Sequence, residues 1–283
     1  MNVQWYPGHM TKAVRMMKED IKLIDLVIEL LDARVPISSR NPEIDKLCEN
    51  KSRLILLNKS DLADEVQTDK WVSFFEDKGI CVLKVNSLNA ASLKKIDPLV
   101  KEACKEKIER DRKRGIINRP VRAMVVGIPN VGKSTFINSF SKKAVAQTGN
   151  KPGVTKGKQW IKLSKTLELL DTPGILWPKF EDEKIGIRLA LIGSINDTIL
   201  QKQELCLHLL DFLKENVKGA LNKRYEVDES HSNMELFDEM CEKRACFKKG
   251  GEYDYEKMSS FLLDDFRSGR LGKITLDLYE ENR

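Results

Sequence analysis

The residues with the clearest chemical potential run from Gly127 to Ser134, GIPNVGKS, and match the spacing G-x-x-x-x-G-K-[ST]. In such a loop the glycines let backbone N–H groups surround phosphate oxygens, and the following helix presents its positive N-terminus to them. Lys133 is expected to neutralise the β- and γ-phosphates, and the Ser134 hydroxyl is expected to ligate Mg²⁺. The predicted phosphate contacts are Asn130, Val131, Gly132, Lys133, Ser134 and Thr135.

A second motif, Asp171-Thr-Pro-Gly174, closes an apolar run and begins 37 residues after Ser134. An aspartate at the end of a strand can hold Mg²⁺ through a water molecule, so we predict this role for Asp171. The N–H of Gly174 is expected to meet a γ-phosphate, because a residue without Cβ allows close approach. A further magnesium contact is expected from Thr155 in KPGVTKGK, and Thr148 is the alternative.

A guanine-reading motif, N-K-x-D, comes earlier in the chain, at the end of the apolar run RLILL. Its members are Asn58, Lys59, Ser60 and Asp61. The Asp61 carboxylate can accept hydrogen bonds from guanine N1–H and from the 2-amino group, a donor pair that adenine lacks. The next strand-like run ends at Asn86 and Ser87, where backbone donors for guanine O6 are expected.

The order of these motifs is unusual, because Asp61 precedes Gly127 by 66 residues, whereas a GTPase normally reads the base after the phosphate loop. Rotating the list of motifs restores the usual order. A parallel sheet tolerates new chain ends at its surface, so the reversal predicts a circularly permuted GTPase domain. The alternative is a P-loop ATPase in which N-K-x-D occurs by chance.

The elements that must position these motifs alternate between strand-like and helical patterns as far as residue 174. Repeated alternation predicts an α/β fold, a mostly parallel sheet with helices on both faces. A basic helix is predicted over 92–114, interrupted or kinked near Pro98. Beyond about residue 180 the apolar spacing is helical, so we predict a GTPase domain over 1–178 and a mainly α-helical domain over 179–283.

The charge is distributed unevenly along the chain, whose net charge is +6. Residues 1–178 hold 32 Lys and Arg against 21 Asp and Glu, whereas 179–283 hold 17 against 22. The excess is concentrated in 101–122 and 151–165, which suggests a polyanion such as RNA as a partner of the first half. A solvated face is the alternative reading of these runs.

Other features of the composition favour a cytoplasmic protein. No apolar run approaches the roughly 20 residues that a membrane-spanning helix needs, and the N-terminus does not resemble a signal peptide. The six cysteines are most simply buried thiols. A zinc site at Cys206, His208, Cys241 and Cys246 is the weaker alternative, since the spacing fits no standard ligand pattern.

The group that would orient the attacking water is not obvious, because Ile175 follows Gly174 where many GTPases carry Gln. Permutation brings the N-terminal tail, with Trp5-Tyr-Pro-Gly-His9, near this loop by topology. A histidine can orient or polarise water near neutral pH, so His9 is a candidate. A solvent-facing terminal histidine is the alternative.

Taken together, the segments WYPGHM, LLDARVP, NKSD, GIPNVGKST, KPGVT and LLDTPGILWPKFED resemble the ribosome biogenesis GTPase A family of bacterial circularly permuted GTPases. The resemblance covers nearly the whole chain. It implies GTP hydrolysis stimulated by the large ribosomal subunit and a role in late maturation of that particle. It also implies that His9 is catalytic and that the helical domain binds RNA. Asn130 resembles the asparagine that holds an activating K⁺ in related GTPases. The alternative is that Asn130 only shapes the loop.

We therefore expect a monomeric, Mg²⁺-dependent GTPase that binds the immature large ribosomal subunit when it carries GTP and leaves after hydrolysis. The alternative is a GTP-dependent RNA-binding scaffold with negligible turnover, which Ile175 would permit.

Overall fold

A computed structural model of the chain describes residues 17–117, 119–141, 160–170, 182–195 and 202–282. Within these ranges no helix combines the length and the apolar character that crossing a membrane would require.

The centre of the fold is a six-stranded sheet with the order β3-β2-β1-β4-β6-β5. Neighbouring strands are parallel except for β5 and β6, which are antiparallel. The strands are β1 (Leu26–Asp32), β2 (Ser52–Asn58), β3 (Cys81–Lys84), β4 (Val121–Val126), β5 (Trp160–Lys162) and β6 (Leu167–Leu170).

The burial of β1 shows why both faces of the sheet are covered. Successive side chains of a strand point to opposite faces, and every residue of β1 is buried. Ile28 belongs to one apolar cluster, whereas Val27 and Leu31 belong to two others. Such continuous apolar strands are typical of a parallel sheet enclosed by helices.

Eleven α-helices have bounds within the described residues. They are α1 (Pro42–Leu47), α2 (Glu65–Glu76), α3 (Ala90–Leu93), α4 (Ile96–Ala103), α5 (Lys105–Lys113), α6 (Lys133–Ser141), α7 (Glu183–Leu191), α8 (Lys202–Asn216), α9 (Ala220–Tyr225), α10 (Asn233–Lys243) and α11 (Tyr255–Arg267).

The predicted basic helix over 92–114 is divided into more pieces than we expected. Pro98 does not kink it, because Pro98 lies in the first turn of α4, where its missing N–H costs no helical hydrogen bond. The predicted interruption near Pro98 is confirmed, because α3 and α4 are separated at Lys94 and Lys95, just before the turn that holds Pro98. A second break falls at Cys104, whose φ of −105° and ψ of 16° are not helical. Three short helices therefore replace one long helix.

The helices from α7 onward form the predicted helical part, in which α11 packs on α8. The chain then returns to the sheet, since Ile274 N donates to Leu62 O at 3.0 Å and Leu276 N donates to Arg34 O at 2.7 Å. The predicted boundary at 178 and 179 lies outside the described residues, and the division into two domains stays a prediction.

The register of the sheet brings the ends of three central strands to one edge. Asp32 at the end of β1 is paired with Asn58 at the end of β2, and Glu29 is paired with Val126 at the end of β4. The phosphate-loop sequence begins directly after Val126. The predicted fold class is confirmed: the N-K-x-D strand and the phosphate-loop strand share one mostly parallel sheet in reversed chain order.

Candidate nucleotide-binding site

The side chain of Asn58 joins the two motifs that are far apart in sequence. Its Nδ2 donates to Val131 O of the phosphate loop at 2.8 Å. Its Oδ1 accepts from Ser87 N at 3.0 Å and from Ser87 Oγ at 2.8 Å. A buried amide thus fixes three loops against one another, with each of its polar atoms satisfied.

Gly132 shows how closely these loops approach. Its φ is +101°, which L side chains rarely adopt, and a Cβ built there would lie 2.5 Å from Asn58 Nδ2. Gly127 is restricted by the sheet itself, because a Cβ there would lie 2.5 Å from Leu30 O. Both glycines of the phosphate-loop motif are therefore required by contacts with β1 and β2 as well as by phosphate chemistry.

Lys59 lies between a buried carboxylate and the phosphate loop. Its Nζ is 3.0 Å from Asp32 Oδ2 and donates to Asn130 O at 3.1 Å. Asp32 also receives hydrogen bonds from Arg34 Nε at 2.9 Å and from Arg34 Nη2 at 2.8 Å. Burial by itself would raise the pKa of the Asp32 carboxyl, but the charges and hydrogen bonds of Lys59 and Arg34 hold that pKa well below its usual range.

The remaining residues of the base-reading loop present Asp61 to solvent. Lys59 has a left-handed backbone, with φ of 57°, and Ser60 N and Oγ both donate to Val85 O, at 3.2 and 3.0 Å. Asp61 follows as an exposed residue, and Asp64 ends the loop by capping α2 through Gln67 N at 2.8 Å. An exposed carboxylate on a loop fixed at both ends is suited to reading a base.

The loop predicted to flank guanine is held by Asn86 and Ser87. Asn86 Oδ1 accepts from Leu88 N at 2.9 Å, which is a local turn of the kind that asparagine side chains form. Ser87 is buried against Asn58. The backbone N–H groups of Asn86 and Ser87, which we expected to donate to guanine O6, donate here to Ser92 Oγ at 3.2 Å and to Asn58 Oδ1 at 3.0 Å. These contacts hold the loop in place.

The phosphate loop leads into α6 at Lys133. Lys133 Nζ donates to Gly127 O and to Ile128 O, each at 3.0 Å. Ser134 and Thr135 lie in the first turn of α6, where backbone N–H groups have no partner within the helix. These donors, the helix N-terminus and the ammonium group together suit a phosphate chain.

Asn130 has a second left-handed backbone in the site, with φ of 58°. Its Nδ2 donates to Gly193 O at 2.8 Å, in the turn after α7. Because a carbonyl can only accept, the amide nitrogen faces Gly193 and the amide oxygen is directed away from it. Asn130 thus links the phosphate loop to the helical part, a contact that its motif did not predict.

Four of the predicted site residues lie outside the described residues. They are His9, Thr155, Asp171 and Gly174. The same holds for Ile175 and for the alternative Thr148. Their roles stay predictions.

Sequence reasoning missed Asp32 and Arg34. The sequence pattern that pointed to Asp171, an aspartate at the end of an apolar run, is also present at Asp32. What the sequence did not reveal was that β1 lies between the two motif strands, so that Asp32 stands beside Asn58.

The cysteine prediction is confirmed in its main point, since Cys48, Cys104, Cys206, Cys241 and Cys246 are buried and Cys81 is partly buried. Burial raises the pKa of the Cys48 and Cys104 thiols to about 11. In the described part of the chain, no group of three or more His, Cys, Asp and Glu side chains is arranged to hold a metal ion.

Comparison with known sequences identifies similar proteins over the full length. A family profile described as "50S ribosome-binding GTPase" matches residues 122–243, a range that includes the phosphate loop but not Asn58 to Asp61. Ribosome biogenesis GTPase A of Bacillus licheniformis is 49% identical over 282 residues, covering 99% of this chain and 100% of that protein. Mitochondrial ribosome-associated GTPase 1 of Mus musculus is 32% identical, covering 97% of this chain and 90% of that protein.

Solved structures show the same similarity. The crystal structure of GNP-bound YlqF from T. maritima superposes with a TM-score of 0.65 at 28% identity, covering 93% of this chain and 97% of that one. The GDP-bound structure of the T. maritima protein gives the same TM-score at 27% identity, covering 94% of this chain and 100% of that one.

Proposed function

This chain belongs to the ribosome biogenesis GTPase A family, and from that premise we propose that it docks on the immature large ribosomal subunit in its GTP-bound form and leaves after hydrolysis. GTP hydrolysis is the activity of the family, so the alternative of an ATPase with a chance N-K-x-D is wrong. Beyond GTP hydrolysis, we propose that the partner is the large ribosomal subunit, that the chain acts at a late step of its assembly, and that hydrolysis triggers release. We place the activity in the cytoplasm and assign it to a monomer.

One observation carries the nucleotide part of this proposal. Asn58 Nδ2 bonds Val131 O at 2.8 Å, although 73 residues separate them in reversed motif order. The base-reading loop and the phosphate loop are therefore neighbours at one sheet edge, as a single guanine nucleotide requires. The ribosomal part is supported by the family profile, whose description names the 50S particle.

Each residue of the site then has a proposed role. Asp61 reads guanine N1–H and the 2-amino group, and Lys133 contacts the β- and γ-phosphates. The loop backbone and the first turn of α6 supply N–H donors to the phosphate oxygens. Asn58, Lys59, Ser60, Asn86 and Ser87 hold the base side in place.

Magnesium fits the donor set of this site. The Ser134 hydroxyl at the start of α6 is a hard oxygen ligand of the kind that Mg²⁺ prefers, and Thr155 and Asp171 would complete the protein contacts. When bound, Mg²⁺ neutralises charge on the phosphate oxygens.

The oxygen of Asn130, directed away from Gly193, is the proposed ligand of an activating K⁺.

We assign catalysis to His9, which would orient the attacking water in place of the glutamine that Ile175 replaces.

We also propose that the loop at Asp171 to Gly174 changes conformation when a γ-phosphate is bound and thereby repositions the helical part. Proteolysis of the helical part at equal rates with GDP and with a non-hydrolysable GTP analogue would contradict this second proposal.

The RNA-facing surface is proposed to lie on the GTPase half, around α4 and α5. Basic side chains there are exposed to solvent and suit the phosphates of RNA. They are Lys101, Lys105, Arg110, Arg112, Lys113 and Arg114. Any RNA contact of the acidic helical part would have to be local.

The test is the rate of phosphate release from GTP with and without purified large subunits, for wild type, His9→Ala and His208→Ala. His208 is an exposed histidine of α8 and serves as the matched control. We expect stimulation of wild type and of His208→Ala, and roughly a 100-fold loss of the stimulated rate in His9→Ala. Undiminished stimulation of His9→Ala would show that His9 is not catalytic.

Two further results of the same assay decide the remaining points. If large subunits bind but do not accelerate phosphate release, the scaffold alternative replaces the release mechanism. If stimulation is equal in K⁺ and in Na⁺, the potassium role of Asn130 is wrong.

A further inference from the structure

The base-reading loop and the phosphate loop are both bonded to the helical part, and the contacts form a closed ring. The first segment of the ring is Lys59, whose Nζ contacts Asn130 O at 3.1 Å and Asp32 Oδ2 at 3.0 Å. Asp32 in turn is bonded through both of its oxygens to Arg34. The Asp32 and Arg34 side chains are buried, so their electrostatic coupling is weakly screened.

The second segment crosses to the helical part through Arg34. Arg34 is 1% exposed, and its Nη1 donates to Arg267 O at 3.3 Å. Arg267 is the last residue of α11. The buried guanidinium of Arg34 therefore connects the carboxylate behind Lys59 to the end of a helix 233 residues away.

The third segment is the side chain of Arg267. Its Nε donates to Leu191 O at 2.9 Å and its Nη2 donates to Ala190 O at 2.8 Å. These are carbonyls of the last turn of α7, and Ala190 O also accepts from Gly193 N at 2.9 Å. A planar guanidinium can bond two neighbouring carbonyls at once, and the positive charge suits a helix C-terminus.

The fourth segment closes the ring at Gly193, directly after α7. Gly193 has a φ of +76°, and a Cβ built there would lie 3.4 Å from the Arg267 guanidinium. The Gly193 carbonyl accepts from Asn130 Nδ2 at 2.8 Å. Arg267 thereby fixes the turn that holds Asn130, whose own carbonyl holds Lys59.

We propose that Arg267 is a positioning residue for guanine-nucleotide binding. It does not touch the nucleotide. It acts on the base side through Arg34, Asp32 and Lys59, and on the phosphate side through Gly193 and Asn130. The proposal rests on the nucleotide site proposed above and is independent of the ribosomal role.

The consequence for specificity follows from the position of Lys59, two residues before Asp61. When the ring is loosened, the Asp61 carboxylate is no longer held against both donors of guanine. Inosine nucleotides lack the 2-amino group and use only one of those donors, so they lose less. The ratio of GDP to IDP affinity therefore falls together with the affinity for GDP.

A second consequence is reciprocal. If Arg267 strengthens nucleotide binding, nucleotide binding must stabilise the contacts of Arg267 by the same free energy. Guanine nucleotides then tighten the junction between the GTPase half and the helical part even in the absence of a γ-phosphate. This route is distinct from the one through Asp171 to Gly174.

The experiment compares Arg267→Gln with Arg224→Gln in the full-length protein. Arg224 is the matched control, since its guanidinium pairs with Asp265 inside the helical part. Calorimetric titration with GDP and with IDP gives both affinities. We expect Arg267→Gln to weaken GDP binding roughly fivefold to tenfold and to lower the GDP to IDP ratio, and Arg224→Gln to change neither.

A cycle with Asn130→Gly shows whether the effect travels through the ring, because glycine keeps the left-handed backbone and removes the amide. We expect Arg267→Gln to have a smaller effect on GDP affinity in the Asn130→Gly background. Equal affinity and an equal ratio in wild type and Arg267→Gln would overturn the proposal. Failure of wild type to bind GDP would instead overturn the nucleotide site itself.

Hydrogen exchange on the wild-type protein keeps the proposal testable if Arg267→Gln does not fold. GDP should slow exchange of the Ile192, Gly193 and Ser194 amides at the end of α7, and leave the Leu236 amide in α10 unaffected. If GDP slows exchange in the phosphate loop but not at the end of α7, Arg267 is a structural residue only.

Discussion

The two lysines of the nucleotide site are held in different ways. Lys59, at the base-reading end, contacts an aspartate from β1 and a carbonyl from the phosphate loop. Lys133, at the phosphate end, donates to two carbonyls of its own loop. Lys59 is thus held by contacts with distant segments, whereas these two contacts of the Lys133 ammonium lie within one short stretch of chain.

This difference decides what a change at each end should do. A local site loses its ligand chemistry when one side chain is removed, and the rest of the fold is little affected. A site built from distant segments loses both ligand affinity and stability when a supporting residue is removed. The ring through Arg267 extends the second kind of support into the helical part.

The largest expected effect is at the phosphate end. Lys133→Ala removes a cation from phosphate oxygens and should weaken GDP binding on the order of 100-fold, or about 3 kcal/mol. The melting temperature without nucleotide should change less than the affinity for GDP, because Lys133 Nζ donates to Gly127 O and Ile128 O within its own loop. Calorimetric titration and thermal unfolding measure the two quantities.

Lys113→Ala, at an exposed position in α5, is the control for this change. If Lys133→Ala binds GDP as tightly as Lys113→Ala does, Lys133 does not contact the phosphates of the nucleotide.

The next effect is a change of base preference at the other end. Asp61→Asn replaces an acceptor with an amide that donates to a carbonyl, so xanthine nucleotides gain a partner and guanine nucleotides lose one. We expect affinity for GDP to fall at least roughly tenfold and affinity for XDP to exceed it. Competition binding with a fluorescent nucleotide reports both, and Asp69→Asn, an exposed acid of α2, should keep the wild-type order.

The third effect is on stability behind the base-reading loop. Asp32→Asn leaves Arg34 and Lys59 without their buried carboxylate, and breaking such a pair costs about 3 kcal/mol in the free energy of unfolding. Asp265→Asn is the control, since it breaks a comparable cluster within the helical part. Both variants should unfold at lower denaturant concentration, but only Asp32→Asn should also weaken GDP binding.

Acid unfolding gives this third effect a pH signature. The pKa of Asp32 is held well below its usual range, so the unfolded chain takes up a proton at this residue before the folded chain does. The stabilisation is therefore complete above about pH 4 and is lost as the pH falls below that value. Asp32→Asn should have a shallower loss of stability below about pH 4, and an unchanged slope would show that Asp32 is not ionised at low pH.

The same difference explains what could be predicted from the sequence. The phosphate loop and N-K-x-D are contiguous motifs, and their spacing alone indicates the chemistry of Lys133 and Asp61. The sheet class followed from alternating apolar runs, since each strand signals its own burial. The reversed order of the motifs was sufficient to predict the permutation.

The contacts that hold the base end could not be found in this way. Asp32 matters because β1 lies between β2 and β4, and strand order is set by packing across the whole sheet. Arg267 matters because α11 ends beside the last turn of α7. The break at Cys104 shows the same limit on a smaller scale, because no glycine or proline at that position signals the end of a helix.

The central claim is that Asp61 and Lys133 act on one nucleotide although their segments are reversed along the chain. A crystal structure of the protein with GDP tests it most directly. We predict that a single GDP has its N1 and 2-amino nitrogens within hydrogen-bonding distance of the Asp61 carboxylate and its β-phosphate within reach of Lys133 Nζ. A GDP that contacts Lys133 while its base lies away from Asp61 would contradict the account.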